Sequence, residues 1–354
     1  MDVQKTDHTN KQTTKNIYVV LGVPRSGTSA ISRGLKALGI NLGTRLVTPS
    51  QKWNPKGYWE DTDIVHLINE KILNVVSSRW DSIKVIEAEQ QNSSAVDSIR
   101  RHASELINQR MTAMENWGFK DPRTIKLLPF WQSVFSSLKL TDNYVIALRN
   151  PLASAQSYKN LTNIDFEKGL LLWLTHLVAA VDGTKGKTKV MVSYDLLLKN
   201  PSMQLERIKK QLALSINTDP KEIDIYANQF LDKKLQHYEF SYEDLHTHQA
   251  ARAVPLCLKA YDIFMKLAKD EITFDDQAFS SEWSEFKKEF DREYPTFCYI
   301  DSLLQRNKIF ERMIRTIHRS MPWKIIFPLR IIDNTLRNYR KIWRAKRRLK
   351  RVCG

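Results

Sequence analysis

The chain has only three cysteines in 354 residues, Cys257, Cys298 and Cys353, with no close spacing. Such a set builds neither a disulfide framework nor a thiolate metal knuckle, and it fits a reducing compartment. Long apolar runs are missing too. The longest, residues 169–181, is interrupted by Thr175 and His176 and falls short of the roughly 20 residues a membrane-spanning helix needs. Residues 1–16 are polar, without the apolar stretch of a secretory leader. They are predicted to be a disordered lead-in, and the protein is predicted to be cytoplasmic. No internal repeat and no low-complexity linker interrupts the rest. An even spread of charge is also lacking. Residues 301–354 hold sixteen Lys and Arg against three Asp and Glu, which is +13 of the net +16. The basic character therefore belongs to an appendage and does not mark the whole chain as nucleic-acid binding.

An apolar content of 42% is enough for a substantial core. Residues 17–22 (IYVVLG) form a β-branched run ending in glycine, the pattern of a buried parallel strand, and residues 28–38 switch to helical spacing. Residues 39–60 contain three glycines and two prolines and read as a long loop. Helices are predicted over 61–76 and 94–117, with further strands at 144–148 (YVIAL) and 189–193 (KVMVS) followed by helices at 152–159 and 195–213. Alternating strands and helices predict an α/β fold, a central parallel sheet flanked by helices. Ligands bind such sheets beyond the carboxyl ends of the strands. The expected layout is a core over 17–215, a helical region over 216–320 that completes it or covers an acceptor site, and a basic amphipathic C-terminal helix over 321–354.

The sharpest local signal is Gly22-Val23-Pro24-Arg25-Ser26-Gly27-Thr28-Ser29, set between the first strand and the first helix. Glycines let the backbone turn tightly against an anion, and the unpaired amides opening the helix face it. A nucleoside-triphosphate loop would carry lysine after its last glycine, where this chain has Thr28, and the cation stands earlier as Arg25. The strand 144–148 runs into Arg149 where a magnesium-binding aspartate would stand. Both differences point to an anion held by fixed protein cations and not by a metal.

The loop resembles the 5′-phosphosulfate loop of sulfotransferases that use 3′-phosphoadenosine 5′-phosphosulfate (PAPS), with its Pro-[Lys/Arg]-Ser-Gly-Thr pattern. That family carries a second signature, an arginine and a serine eight residues on, which hold the 3′-phosphate; Arg149 and Ser157 have this spacing. Residues 53–61 (WNPKGYWED) and 117–123 (WGFKDPR) are similar to a bacterial branch that often modifies carbohydrates. The resemblance covers roughly residues 17–213 and implies a P-loop-like fold and a PAPS donor, with no metal required. Pro24, Arg25, Ser26, Gly27, Thr28 and Ser29 are then expected on the donor's 5′ end, with Arg149 and Ser157 on its 3′-phosphate. The glycine-rich lysine motif of the cytosolic animal and plant enzymes is absent.

Sulfo transfer builds negative charge on the departing oxygen, so positioning and electrostatics carry it. Lys120, with Arg123 beside it, is expected to serve that charge together with Arg25; the competing structural reading pairs these cations with Asp121. The acceptor must lose a proton, and Glu60 is the leading base, next to the rings of Tyr58 and Trp59. Asp61, which also suits a helix cap, and His66 and His176, which sit in apolar helical patterns, stay open as alternatives. His246 and His248 match no familiar zinc spacing.

The acceptor implied is a hydroxyl or amine of a glycan, glycolipid or related molecule. In the tail, Leu329, Ile332, Leu336, Tyr339 and Trp343 share one helical face among arginines and lysines. Residues 322–354 either dock on an anionic membrane surface, making the protein peripheral on its inner face, or pack on protein; a nucleic-acid partner has no groove-reading motif to support it. Two rival functions remain at this level, a P-loop small-molecule kinase and a non-catalytic nucleotide-binding scaffold.

Overall fold

The computed structural model describes residues 15–320 apart from 52, 113 and 163, together with residue 335. Of the lead-in expected over residues 1–16, residues 1–14 lie outside the described residues and Asn16 already opens the first strand; the tail helix over 321–354 lies outside them too, residue 335 excepted. The described residues up to 297 form one compact unit and those from 298 on a second.

Four parallel strands make the sheet: β1 (Asn16–Leu21), β2 (Asn116–Lys120), β3 (Thr141–Leu148) and β4 (Lys189–Ser193), in the order β2-β1-β3-β4. Side chains alternate across it with a period of two. Ile17, Val19 and Leu21 of β1 join Tyr144, Ile146 and Leu148 of β3 in one core. Tyr18 and Val20 join Val145, Ala147, Val190 and Val192 in the other. The helices Leu128–Ser137, Phe166–Gly183 and Leu256–Ala268 supply the first core, whereas α1 (Thr28–Ala37) and the helix Pro201–Gln211 supply the second. With both faces covered, strands read as continuous apolar runs, which is why β1, β3 and β4 stand out in the sequence. The chain is the α/β fold expected of it.

Three boundaries differ from expectation. Helix was predicted through Trp117, but the α-helix ends at Met111 and residues 116–120 form β2. Trp117 and Phe119 alternate into one core while Gly118 passes the Tyr18 carbonyl so closely that a Cβ would come to 2.7 Å of it. Lys120 is accordingly the last residue of that strand. The helix expected over 195–213 is two helices, Tyr194–Lys199 and Pro201–Gln211, because Pro201 cannot continue the first and instead opens the second. Within 61–76, the first stretch, Ile64–Asn69, is π-helical before an α-helix over Glu70–Val75.

The strand register brings the functional ends level. Val20 pairs with Lys120, Leu21 with Ile146 and Leu148 with Ser193. The loop after β1, Lys120, Arg149 and Tyr194 therefore all emerge at one edge of the sheet.

Candidate functional site

The loop after β1 is held by its own side chains. The Ser26 hydroxyl donates to the Val23 carbonyl at 2.7 Å, and the Ser26 amide donates to the same oxygen at 3.1 Å, so Ser26 is buried inside the turn. Gly27 takes φ 85° at the start of α1, and a Cβ there would come to 2.2 Å of the Tyr194 ring. Arg25 also takes a left-handed φ of 72°, a strained position for a residue with a side chain.

That turn lets two cations share one cleft. Arg149 Nη1 donates to the Arg25 carbonyl at 2.9 Å, and Arg149 Nη2 to the Tyr238 carbonyl at 2.9 Å. The Arg149 guanidinium stacks 5.2 Å from the centre of the Tyr194 ring. Among the described residues neither arginine lies within ion-pair distance of a carboxylate, and the buried Arg149 Nε has no hydrogen-bond partner. Burial pulls both guanidiniums below their ordinary range, and Arg149 lowers Arg25 further by like-charge repulsion. Burial raises the nearby Asp195 carboxyl, against the pull of Arg149. Two cations side by side, Arg149 buried with a spare donor and Arg25 half-buried, form a site that an anion relieves.

Arg25 and Arg149 line the same cavity, with Gly27, Thr28 and Ser29 at the opening of α1 and with Trp53, Asn54 and Lys56 from the long loop. Tyr194, Phe230, Leu235 and His237 also line it, with one carboxylate, Asp232. Ser157 is also brought here, although buried, and its hydroxyl accepts from Arg25 Nε at 3.0 Å. The arginine–serine spacing thus converges on the β1 loop through Arg25 itself.

A second cavity adjoins the first across the same loop. Pro24, Arg25, Thr28, Ser29 and Asn54 line it together with Tyr58, Glu60, Trp80, Lys120, Pro122 and Arg123. Here Lys120 Nζ donates to Glu60 Oε1 at 2.5 Å, with the lysine side chain 2% exposed and the glutamate 13%. The partner of Lys120 is therefore Glu60, not Asp121. Arg123 is the cation that pairs with Asp121, at 3.0 Å, and also with Glu70, at 3.0 Å. Burial pulls the Arg123 guanidinium down, but Asp121, Glu60 and Glu70 together hold it above its ordinary value. Asn54 and Ser29 tie the long loop to α1: the Asn54 amide donates to Ser29 Oγ at 3.1 Å, and that hydroxyl donates to the Tyr58 carbonyl at 3.0 Å.

The remaining candidates lie elsewhere. Asp61 caps the helical stretch, accepting from the amides of Asp63 and Ile64 at 2.9 and 3.2 Å, and it pairs with Arg110 at 3.2 Å. His66 is exposed and bonds to Glu70 at 2.9 Å. His176 is buried in the first unit's core, where desolvation first and then Lys126 push its pKa down to about 3. Trp59 turns away from Glu60 toward Phe230, with their rings 5.9 Å apart, so the aromatic walls beside the carboxylate are Tyr58 and Trp80. His248 caps a short helix by accepting from the Ala250 amide at 3.2 Å, and His246 stacks edge-on to Tyr242 at 4.7 Å. Among the described residues no three metal-ligating side chains cluster.

Sequence reasoning missed Tyr194, Trp80, Phe230 and His237. Tyr194 had a signal, since it directly follows β4. The others come from loops and from the all-helical region, where nothing local announces them.

No protein-family model matches the chain, and no curated protein does. Among solved structures it is similar to the sulfotransferase domain of the olefin synthase from Synechococcus PCC 7002, at 16% identity and a TM-score of 0.36, over 72% of this chain and 98% of that one. It is also similar to sulfotransferase STF1 from Mycobacterium tuberculosis H37Rv, at 14% identity and a TM-score of 0.33, over 69% and 76% of the two chains. Both are sulfotransferases. At such scores the likeness says nothing of chemistry, which has to come from the residues of the two cavities.

Proposed function

We propose that this protein is a PAPS-dependent sulfotransferase acting on a hydroxyl or amine of a glycan, glycolipid or related acceptor. The observation that carries the reading is the pair Arg25, half-buried, and Arg149, buried, converging from two strand ends on one cleft with no carboxylate within ion-pair distance of either among the described residues. A single small dianion or bisphosphate satisfies both, and the spare Arg149 Nε and the first amides of α1 are donors suited to phosphate oxygens. In this reading Arg25, Gly27, Thr28 and Ser29 hold the 5′ end of the nucleotide and Arg149 its 3′-phosphate, with Ser157 acting by orienting Arg25. Pro24 shapes the wall between the cavities, and Ser26 fixes the turn.

When bound, the donor supplies the sulfo group, the S–O bond to the leaving phosphate breaking as one to the acceptor atom forms. Lys120 and Arg123 then place positive charge where the leaving oxygen gains its negative charge. Glu60 takes the acceptor proton. The Lys120–Glu60 contact keeps cation and base on one cavity wall and poised to separate toward their two partners. Tyr58 and Trp80, with Pro122, offer an apolar wall beside polar groups, a lining that suits the face of a sugar ring. Residues 322–354 would hold the protein at an anionic inner membrane surface, where lipid-linked acceptors reside.

The test is thermal stabilisation of the purified protein by adenosine 3′,5′-bisphosphate, ATP and GTP. A rise in melting temperature with the first alone is expected. Stabilisation by ATP or GTP with magnesium, and none by the bisphosphate, would overturn the donor assignment in favour of phosphoryl transfer.

A further inference from the structure

The second unit carries a surface that the sulfo chemistry does not use. In the helix Gln277–Arg319, the part beyond Phe297 contains Tyr299, Leu303, Phe310, Met313, Ile314 and Ile317. Their three- and four-residue spacing puts them on one stripe of the helix. All six are between 38% and 60% exposed, the opposite of what an apolar stripe facing a core would show. On the opposite face stand Lys308, Arg312, Arg315 and Arg319. The acids on this stretch are Asp301, which is buried and accepts from Gln305 at 2.9 Å, and Glu311, which sits 4.0 Å from Arg315. The chain that follows, residues 321–354, adds eleven Lys and Arg against one Asp.

Apolar stripes of this size mark an interaction surface. A second copy of the chain is the obvious competitor, because residues 299, 303, 306, 310, 313 and 317 follow a heptad seam. Arg306 interrupts that seam, and the flanking positions hold Ile300, Asn307, Ile314, Ser302, Ile309 and Thr316. None of these six is charged, so nothing sets a partner helix in register. A stripe of large apolar residues backed by a basic face, on a helix too polar to span a bilayer, is instead the pattern of an interfacial helix. We infer that the Tyr299–Ile317 face lies on the surface of an anionic phospholipid membrane, its apolar side chains among the acyl chains and its cations level with the headgroups. The inference deepens the membrane half of the proposed function and rests on it; the donor chemistry is independent of it.

Co-sedimentation of the full-length protein with vesicles of phosphatidylcholine alone, and of phosphatidylcholine with phosphatidylserine, tests it. Binding to the second and not the first is expected, with at least about a tenfold loss in the double variant Phe310→Glu/Ile314→Glu. A second full-length variant neutralises the tail (Arg347→Gln, Arg348→Gln, Lys350→Gln, Arg351→Gln). If only the tail variant loses binding, the helix face is not the anchor, although the membrane reading survives. If the unaltered protein ignores both vesicles, the two ideas fall together. A dimer in solution that the helix variant turns into a monomer, without change in vesicle binding, would assign the face to a second copy. Because Phe310 and Ile314 are exposed, far-UV circular dichroism of the helix variant should match the parent, and stabilisation by adenosine 3′,5′-bisphosphate should persist in both variants.

Discussion

Arg149 and Lys120 occupy equivalent places at strand ends, yet their surroundings predict opposite kinetic behaviour. Arg149 has a spare buried donor and no carboxylate, so its interactions await a ligand. Arg149→Ala should weaken adenosine 3′,5′-bisphosphate binding by ~2–4 kcal/mol, the scale of losing a charge-assisted contact in a desolvated site, as read by calorimetry. Lys120 is already paired with Glu60. Lys120→Ala should leave that binding nearly intact and lower turnover, because its role lies with charge that appears during the reaction. An equal loss in both measurements would make it a nucleotide-binding residue. His176 gives a prediction about stability. Its folded pKa of about 3 lies below the ordinary 6.5, so the unfolded chain binds the extra proton between those values. Its contribution is complete above pH 6.5 and is lost as pH falls toward 3. Between pH 7.5 and 5.5 the loss should be ~1 kcal/mol in denaturant melts, and His176→Gln should remove that part of the slope.

The elements that build the site do so by constraint at their ends. The turn into α1 needs Gly27 both for its φ of 85° and for the space the Tyr194 ring fills. Gly27→Ala should therefore cost ~2 kcal/mol or more of stability and abolish nucleotide-induced stabilisation in the same thermal melt, since the ring under Arg149 would have to move. Tyr194→Ala opens the room for that Cβ, so part of the stability should return in the double variant, while nucleotide affinity should not. The π-helical stretch Ile64–Asn69 has a similar role on the other side. It places Asn69 to donate to Asp121 at 2.8 Å and to accept from Trp131 at 2.9 Å, fixing the carboxylate that holds Arg123. Strands were legible here because burial on both faces leaves a continuous apolar run. Helix ends were less so: Pro201 marked a break that apolar spacing alone had bridged, and Trp117 belonged to a strand whose alternation covers only five residues.

In the first unit, the two cavities share Arg25, Thr28, Ser29 and Asn54, so the proposed donor and acceptor sites meet at a single wall. The remaining residues of the two cavities come from positions as far apart as Pro24 and His237. The sequence alone determined the turn after β1 and the arginine after β3, since each is a local pattern of strand, glycine and cation that neighbouring residues suffice to specify. It also determined that the sheet would be parallel and covered on both sides. Which carboxylate Lys120 meets, that Ser157 serves Arg25, that Trp80 and Tyr58 rather than Trp59 wall the acceptor side, and that Phe230 and His237 close the cleft were decided by tertiary structure. These pairings join residues tens to hundreds of positions apart. The packing of loops against one sheet edge sets them, and no periodicity along the chain records that packing.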